Sequence, residues 1–410
     1  MPSEDVLIPV DQHLERILSG IAPLSAYDQE LLDCLGLPIA EDIVAPAPLP
    51  GFDNSGMDGY AVCHDDLVGA SPEQLVRLPV VGDIAAGAAQ IAAIEAGTTA
   101  RIMTGAPIPA GCTAVVPVEW TDEGTETVVI SRAPREGQHI RRAGEDVRAG
   151  EMLIQAGTVI GPREVSLLAS VGRARVLARP RPRVVVISTG SELRKPGEAL
   201  GPDSIYDSNS YMLAAQARAA GAIAYRVGLV SDDPEEFRQT LSDQLVRADV
   251  VVTSGGVSKG AFDVVKEVLA SEVRFDTVAM QPGKPQGFGF IGEDSTPIFT
   301  LPGNPVSSYV SFEVFVLPAL RTMMGRMPVS RPMMRAVLTQ GLASAPGKRQ
   351  FLRAYYQPSP TGATVTPVGG PGSHLVAGLA RANAIVVLAE HQTSVAAGEM
   401  VPVLVLDRDF

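Results

Sequence analysis

The chain has 410 residues, enough for roughly two to four domains of ordinary size. An apolar fraction of 46% is typical of a globular protein, while 40 Gly and 33 Pro indicate many turns between short elements. The formal net charge of −13 argues against a nucleic-acid binder, because neutralising phosphates requires a positive surface. It does not exclude a local basic pocket for one small anion.

The cysteines and the N-terminal segment indicate the compartment. Cys34, Cys63 and Cys112 show no paired spacing, so neither a disulfide framework nor a zinc site is expected. The N-terminal segment is acidic, and no stretch approaches the roughly 20 apolar residues that a membrane span needs. We therefore expect a cytoplasmic protein that binds no membrane.

Two helices are predicted before residue 40. Residues 25–36 predict the second of them, with Ser25 as its N-cap. The first ends at Gly20, and its apolar residues share one helical face: Val10, Leu14, Ile17 and Leu18.

From Pro46 onward, short β-like runs broken by Gly and Pro predict a β-rich module. Residues 161–172 are helical again. This order suggests one elongated N-terminal domain, residues 1–45 and 147–178, into which a β-rich domain, residues 46–146, is inserted.

Beyond residue 178 the pattern alternates. Continuous runs such as "VVVIS" and "DVVVTS" alternate with helical segments over residues 179–328, which is typical of a parallel sheet covered on both faces. Five β-like runs then predict a small barrel or sandwich over residues 329–410. The predicted fold class is multidomain α/β plus β: a three-layer α/β domain with a mostly parallel sheet, an inserted β-rich domain, an elongated N-terminal domain and a C-terminal β-barrel or sandwich.

Three predicted strands of the α/β domain empty into loops rich in glycine and hydroxyl groups. Ligands bind at such strand ends, where glycines let backbone N–H groups approach an anionic oxygen and the following helices add partial positive charge. A phosphorylated small molecule is the natural ligand, and tight packing of strand–helix turns is the alternative. The loop residues are Thr189 and Gly190, then Ser254, Gly255, Gly256 and Ser258, then Pro302, Gly303 and Asn304.

Common nucleotide and metal motifs do not occur. There is no G-x-G-x-x-G after a strand and no P-loop, and neither Lys259 nor Lys284 has P-loop spacing, which disfavours dinucleotide oxidoreductases and P-loop NTPases. There is no H-E-x-x-H motif. A histidine such as His139 is expected to be structural, whereas His374 in "GPGSHL" is an exception because of its loop.

Several acids follow the strand ends. Asp233 precedes Pro234 and is assigned to a helix N-cap, which leaves Asp232 free to face a ligand. Glu192, Asp232 and Asp263 could together hold Mg²⁺ beside phosphate oxygens. Capping of the following helix is an equally open role for Asp263.

Two polar clusters lie in the predicted β-rich domain. They fit either β turns with surface ion pairs or a site at which guanidinium and hydroxyl groups receive an oxyanion, and composition does not choose between these. Their residues are Asp53, Asn54, Ser55, Asp58, Thr104, Gly105, Arg141, Arg142, Glu145 and Asp146.

Nine motifs of this chain resemble those of molybdopterin molybdenumtransferases, the MoeA family, which includes the gephyrin E domain, and they occur in the same order. The resemblance runs from about residue 10 to the C-terminus. The motifs are "PGFDNSGMDGYAV", "RIMTGAPIPAGCTAVV", "IRRAGEDV", "ISTGSEL", "IYDSN", "SDDP", "VVTSGGVSKGAFD", "PGKP" and "LPGNPVSS".

The resemblance implies that the C-terminal domain is a β-barrel. It also implies a homodimer whose active cleft lies between the α/β domain of one subunit and the inserted domain of the other. It implies a transferase that inserts molybdenum from molybdate into adenylylated molybdopterin with Mg²⁺, giving molybdenum cofactor and AMP. Contacts with the adenylyltransferase or with acceptor molybdoenzymes are further expectations. Molybdate and tungstate are both open as substrates, since each is a tetrahedral dianion.

The family's site residues carry over by motif. The resemblance implies that Asp232 and Asp263 bind Mg²⁺ and that Arg353 and Ser373 contact molybdate. The site residues of the inserted domain would close the cleft from the other subunit, and Lys284 of "PGKP" is assigned to substrate binding. The catalytic and binding residues so identified are Asp58, Thr104, Arg141, Asp146, Glu192, Asp232, Asp263, Arg353 and Ser373.

The chain departs from the family pattern at three positions, and two other functions stay open. Ser191 stands where many relatives have an acid, Gln281 where many have lysine, and Lys259 where a small or apolar residue is usual. One alternative is a molybdopterin adenylyltransferase, which resembles only the α/β domain. The other is a dimeric scaffold without catalysis, against which the acids retained at each strand end argue.

Overall fold

The structure is a computed structural model. The chain divides into two compact units. The larger unit comprises Met1–Gln29, Cys34–Ala40 and Leu177–Phe410, and the smaller comprises Glu30–Asp33 and Glu41–Val176. The domain boundaries given above remain predictions. The residues that the structure describes are 7–87, 93–230, 232–255, 264–360, 362–408 and 410.

The smaller unit is built around a five-stranded sheet. Its second strand is buried on both faces, because Tyr60 and Val62 join one apolar cluster while Ala61 joins another. The elements up to residue 178 are α1 (Val10–Ser19), β1 (Tyr27–Glu30), β2 (Ile43–Val44), β3 (Asn54–Ser55), β4 (Gly59–Val62), β5 (Val76–Ile84), β6 (Thr99–Ile102), β7 (Ala114–Pro117), β8 (Thr127–Ile130), β9 (Ile140–Arg141), β10 (Met152–Ile154), α2 (Pro162–Ser170) and β11 (Arg175–Ala178). The sheet order is β7-β4-β6-β5-β8.

The second predicted helix is wrong, whereas α1 and α2 confirm the other two helical predictions. Residues 27–30 form β1 instead, and turns follow as far as Gly36. The side chain of Gln29 donates to the carbonyl of Ala178 at 2.9 Å, which holds this segment extended. Leu32 is 78% exposed, so the apolar face that would stabilise a helix here is not buried.

A six-stranded sheet forms the centre of the larger unit. Its order is β15-β12-β16-β20-β19-β17. The first four strands are parallel to one another, and β19 pairs antiparallel with both β20 and β17, which confirms the mostly parallel sheet. The elements are β12 (Arg183–Ser188), β13 (Leu193–Arg194), β14 (Ile205–Tyr206), α3 (Asn209–Ala219), β15 (Ile223–Arg226), α4 (Pro234–Leu245), β16 (Val250–Ser254), α5 (Val264–Leu269), β17 (Val273–Thr277), β18 (Met280–Gln281), β19 (Pro285–Ile291), β20 (Thr296–Leu301), α6 (Pro305–Ser311), a π-helical turn (Phe312–Val316) and α7 (Leu317–Met324).

Both faces of this sheet are covered. Val184 and Val186 of β12 pack with α3 and the α6–α7 stretch, whereas Val185 and Ile187 point to the opposite face and pack with α4 and α5. All four side chains are fully buried, and each contributes about 1.5–3 kcal/mol relative to exposure. The predicted N-cap at Asp233 is confirmed, since its carboxylate accepts from the N–H groups of Glu235 and Glu236.

The C-terminal strands close into a barrel. The order β23-β24-β21-β27-β25 returns to β23 through a further pairing of β23 with β25, so five strands form a ring, as predicted. The elements are β21 (Met333–Leu338), β22 (Leu342–Ala343), β23 (Arg349–Ser359), β24 (Gly362–Pro367), α8 (Val376–Ala380), β25 (Ala384–Leu388), β26 (Ser394–Val395) and β27 (Met400–Val405).

Helix α1 carries a buried titratable group, His13, which is 2% exposed. Its ring packs edge-on against Phe315, and its Nδ1 lies 3.4 Å from the Asp276 carboxylate. That carboxylate also accepts from Arg16 and Arg274. Burial, the largest effect, lowers the pKa of His13 from 6.5 to about 4.

This lowered pKa predicts acid destabilisation. Between pH 6.5 and about 4 the unfolded chain binds a proton at His13 that the folded chain does not. His13 therefore costs no stability above pH 6.5. Between pH 6.5 and about 4, the free energy of unfolding falls by on the order of 3 kcal/mol. Urea unfolding of wild type and His13→Leu across this range checks the prediction: the variant should lose most of the slope, and equal slopes would contradict it.

Candidate active site

The strand order places a crevice at the carboxyl ends of interior strands of the six-stranded sheet. Strand β12 has β15 on one side and β16 on the other, although the chain runs from β12 to β15 and only then to β16. The connection from β12 to β15 and the connection from β15 to β16 therefore run in opposite directions along the sheet. Ligands of open α/β sheets bind at such a switch point, outside the carboxyl ends of the strands. Ser188 and Ser254 are the last residues of the two strands.

A cleft of about 330 Å³ lies at this point, which suits a small ligand. Its lining combines glycines and hydroxyl groups with apolar side chains. Its lining residues are Ser188, Thr189, Glu192, Leu193, Ile205, Tyr206, Asp207, Ser208, Asn209, Ser254, Gly255, Gly303, Asn304, Pro305, His374 and Val376.

The loops after β16 and β20 approach each other closely. Gly255 has φ +96°, and a Cβ there would lie 3.0 Å from the Thr189 carbonyl oxygen, so other residues are disfavoured at this position. A Cβ on Gly303 would lie 3.6 Å from the Cα of Gly255. Asn304 and Pro305 begin α6 as N-cap and N1, as predicted, although the Asn304 side chain makes no cap hydrogen bond. The two loops therefore present main chain to the cleft.

Polar side chains at the start of α3 tie these loops together. The buried Asp207 carboxylate accepts from the Ser188 hydroxyl at 3.2 Å and from both the N–H and the hydroxyl of Ser210. The Asn209 Nδ2 donates to the Ser254 hydroxyl at 2.8 Å and to the Gly303 carbonyl at 2.6 Å. One side chain thus reaches two strand ends.

Two acids flank the loop after β12. The Asp232 carboxylate accepts from the Ser191 N–H at 2.9 Å, next to Glu192. The Glu192 carboxylate folds back over Gly190, where a Cβ would lie 2.6 Å from its Oε2. Within the described ranges no three His, Cys, Asp or Glu side chains form a metal-binding cluster. Mg²⁺ prefers one or two carboxylates together with phosphate oxygens, so the chemistry of these two acids fits such an ion.

A loop of the C-terminal barrel completes the cleft wall with His374 and Val376. Arg353 of β23 lies beneath this loop and donates to the carbonyl oxygens of Gly370, Gly372 and Leu375. Burial lowers the pKa of this guanidinium below its ordinary value. Arg353 therefore holds the loop that carries Ser373, and direct contact with an oxyanion stays a prediction.

The smaller unit brings Asp58 and Thr104 together. The Asp58 Oδ1 accepts from the Thr104 N–H at 2.6 Å and from the Thr104 hydroxyl at 2.8 Å. These bonds, the backbone one first, lower the pKa of Asp58 below 3.8, so the carboxylate is ionised near neutral pH. The pair is exposed to solvent, which leaves the charge available to a ligand.

The second polar cluster of the smaller unit lies around β9. Arg141 of β9 lies opposite Asn54 in the antiparallel pairing of β9 with β3. Both Arg141 and Asp146 are exposed. Arg142 instead binds Asp53 at 2.6 Å, and this carboxylate also accepts from the Ala143 N–H at 2.8 Å. Arg142 and Asp53 thus form a surface ion pair, whereas described contacts leave the Arg141 guanidinium at the surface.

Comparison with known proteins identifies the family. Residues 8–172 match the MoeA N-terminal region (domain I and II), residues 185–322 a probable molybdopterin binding domain, and residues 335–406 the MoeA C-terminal region (domain IV). The chain is 48% identical to molybdopterin molybdenumtransferase 2 of Mycobacterium tuberculosis over 96% of its own length and 98% of that protein. It belongs to the MoeA family.

Further relatives span the chain as well. The MoeA family member of Staphylococcus aureus (strain COL), a molybdopterin molybdenumtransferase, is 34% identical over 98% of this chain and 96% of its own. Two crystal structures of a molybdopterin biosynthesis MoeA protein from Pyrococcus horikoshii match with TM-scores of 0.83 and 0.77 and identities of 31% and 27%. They cover 98% and 97% of this chain and 100% of theirs. The fold is thus that of MoeA throughout its length.

The cleft gathers some of the residues that the sequence predicts. Gly190 and Asp232 adjoin its loops without lining it, and Lys284, Pro302, Arg353 and Ser373 belong to the same unit. Asp263, Gly256 and Ser258, together with Lys259, lie outside the described residues, so their predicted roles stay predictions. The predicted residues that line the cleft are Thr189, Glu192, Ser254, Gly255, Gly303 and Asn304.

Asp207 and Asn209 are site residues that the sequence did not predict. Both belong to the MoeA motif "IYDSN", and an acid two residues before a helix was the available signal.

Of the departures, Ser191 binds Asp232 through its backbone N–H, which any residue other than proline offers. Gln281 lies in β18, which pairs with β23. No helix in the described part of the chain has both the length and the apolar character of a membrane span.

Proposed function

We propose that this protein is a molybdopterin molybdenumtransferase, which transfers molybdenum from molybdate to adenylylated molybdopterin and releases AMP and molybdenum cofactor. The observation that carries the proposal is the glycine-bearing cleft at the β12–β16 switch point, in a chain related to MoeA proteins over its full length. Backbone approach at Gly255 and Gly303 suits phosphate groups, and the start of α6 adds partial positive charge.

The acids near the cleft have a role in this proposal. Asp232 and Glu192 recruit Mg²⁺ to the phosphates, with Asp263 as the further predicted ligand. Mg²⁺ held there would supply positive charge that offsets the negative charge of the phosphate oxygens. Ser373 contacts molybdate, with Arg353 as a further predicted contact, and the apolar side chains of Ile205 and Leu193 line the same cleft.

The proposal also includes the assembly and its setting. Two chains form a homodimer in the cytoplasm, and the Asp58–Thr104 pair and Asp146 of one subunit complete the cleft of the other. Contacts with the adenylyltransferase and with acceptor molybdoenzymes belong to the same proposal.

Incubation with adenylylated molybdopterin, molybdate and Mg²⁺ tests the function. We expect AMP release together with active cofactor, measured by reconstitution of a cofactor-free molybdoenzyme, and no cofactor when molybdate is omitted. Pyrophosphate release from ATP and molybdopterin would instead identify an adenylyltransferase. Failure of both reactions would reject the proposed enzyme and favour the scaffold.

A further inference from the structure

Asn209 joins three segments of the cleft. It is the first residue of α3, and its Nδ2 donates both to the Ser254 hydroxyl at the end of β16 and to the Gly303 carbonyl after β20. The Gly303 carbonyl can only accept a hydrogen bond, so the NH₂ group of Asn209, and not its oxygen, must face it. The side chain therefore spans the two loops that present backbone to the cleft.

The bonding of this amide is incomplete. Its Oδ1 is buried, yet no described residue donates a hydrogen bond to it. A buried acceptor without a partner costs stability, so this side chain is not optimised to stabilise the fold. Asn383 in the barrel offers a contrast, because its amide accepts from the Tyr356 N–H and donates to the Tyr356 carbonyl. Buried polar atoms without a hydrogen-bond partner occur mainly at functional positions.

The distance between the two loops matters for ligand binding. The Gly255 N–H donates to the Leu301 carbonyl at 3.2 Å, which links β16 to β20 just below the cleft. Above that bond, the Asn209 amide donates to groups of both loops. The buried Ser308 hydroxyl also contacts both, since it donates to the Pro302 carbonyl and lies 3.4 Å from the Ser254 hydroxyl. A site whose groups are already in place binds more tightly, because ordering them costs no further free energy.

We propose that Asn209 is a positioning residue, which clamps the Ser254–Gly255 loop to the Pro302–Asn304 loop and so holds the phosphate-binding backbone in register. The role rests on the proposed function for its ligand, but the clamp itself is a property of the loops. It acts through Gly255 and Gly303 and needs no contact between Asn209 and the reacting atoms.

Amide hydrogen exchange tests the clamp without any substrate. Asn209→Leu keeps the branched shape of the side chain and removes its donors, and Asn209→Ala is a smaller second variant. We expect exchange at residues 254–255 and 303 to accelerate about tenfold in both, because opening of the loops becomes easier. The melting temperature should change little, because the lost bonds to Ser254 and Gly303 are offset by removal of the unpaired Oδ1. In the matched control Asn383→Leu, the melting temperature should fall while these amides exchange as in wild type.

Ligand binding and turnover test the consequence. With AMP as the probe, calorimetry should show about tenfold weaker binding in both Asn209 variants, and kcat/KM should fall by a similar factor or more. Unchanged exchange would overturn the clamp whatever the activity, and faster exchange with unchanged AMP affinity and turnover would overturn its role in the site. Loss of stability in step with activity would make Asn209 structural. A wild-type protein inert toward the proposed substrates would instead reject the proposed function, with the clamp still decided by exchange.

Discussion

Replacement of Asp232 by asparagine is expected to lower turnover by about a hundredfold or more, the usual loss when one charge-stabilising group is removed from an active site. The amide oxygen of asparagine can still accept from the Ser191 N–H, so the loop contact survives and only the charge is lost. Steady-state assays across a Mg²⁺ titration measure the effect, and part of the lost activity should return at high Mg²⁺.

The neighbouring residue supplies the control. Asp233 caps α4, and asparagine is an equally good cap, so Asp233→Asn should retain both stability and turnover. Equal turnover of Asp232→Asn and wild type would limit Asp232 to a loop contact and remove it from the proposed Mg²⁺ site. Equal losses in the two variants would point to a general charge effect instead.

Replacement of Asp58 by asparagine is expected to have an effect of the same size. The amide oxygen can keep both hydrogen bonds from Thr104, so folding is preserved while the site loses an ionised carboxylate. We expect turnover to fall about a hundredfold, with thermal unfolding unchanged. Asp122→Asn is the control, because this carboxylate is also exposed and bound by two backbone N–H groups, of Gly124 and Val129, but belongs to no site motif.

Mixing the two inactive variants tests whether the site is shared between subunits. In a dimer with one Asp58→Asn chain and one Asp232→Asn chain, a shared cleft would combine the intact Asp232 of one subunit with the intact Asp58 of the other. With random exchange, half of the dimers are mixed and each holds one intact site, so about a quarter of wild-type activity should return. Activity that stays at the level of the separate variants after verified exchange would confine each cleft to one chain.

The sequence predicted the α/β and barrel architecture because local patterns carry it. Val184–Ile187 form a continuous β-branched run, which only a strand covered on both faces buries. Residues 25–36 misled because their leucines have helical spacing, while the extended form is held by contacts with distant residues, such as that between Gln29 and Ala178. Spacing within a segment does not encode such contacts.

The site was predicted in its loops but not in its connections. Glycines and acids after strands are visible in the sequence, and Thr189, Glu192, Ser254 and Gly255 do line one cleft. Strand order is not visible, so the switch point beside β12 emerged only from the fold. Asn209 was missed for the same reason: nothing in "IYDSN" shows that the first turn of α3 faces the loop after β20.

The barrel's closure ties the last residues of the chain to the chemistry. Strand β27 is one of the five strands that complete the ring. Strand β23 of the same ring carries Arg353, which supports the loop that contains His374. A premature stop codon that removed β27 would leave β21 and β25 with unpaired edges, and such edges promote aggregation. Catalytic competence and resistance to aggregation would then be lost together, although no residue of the α/β sheet had been altered.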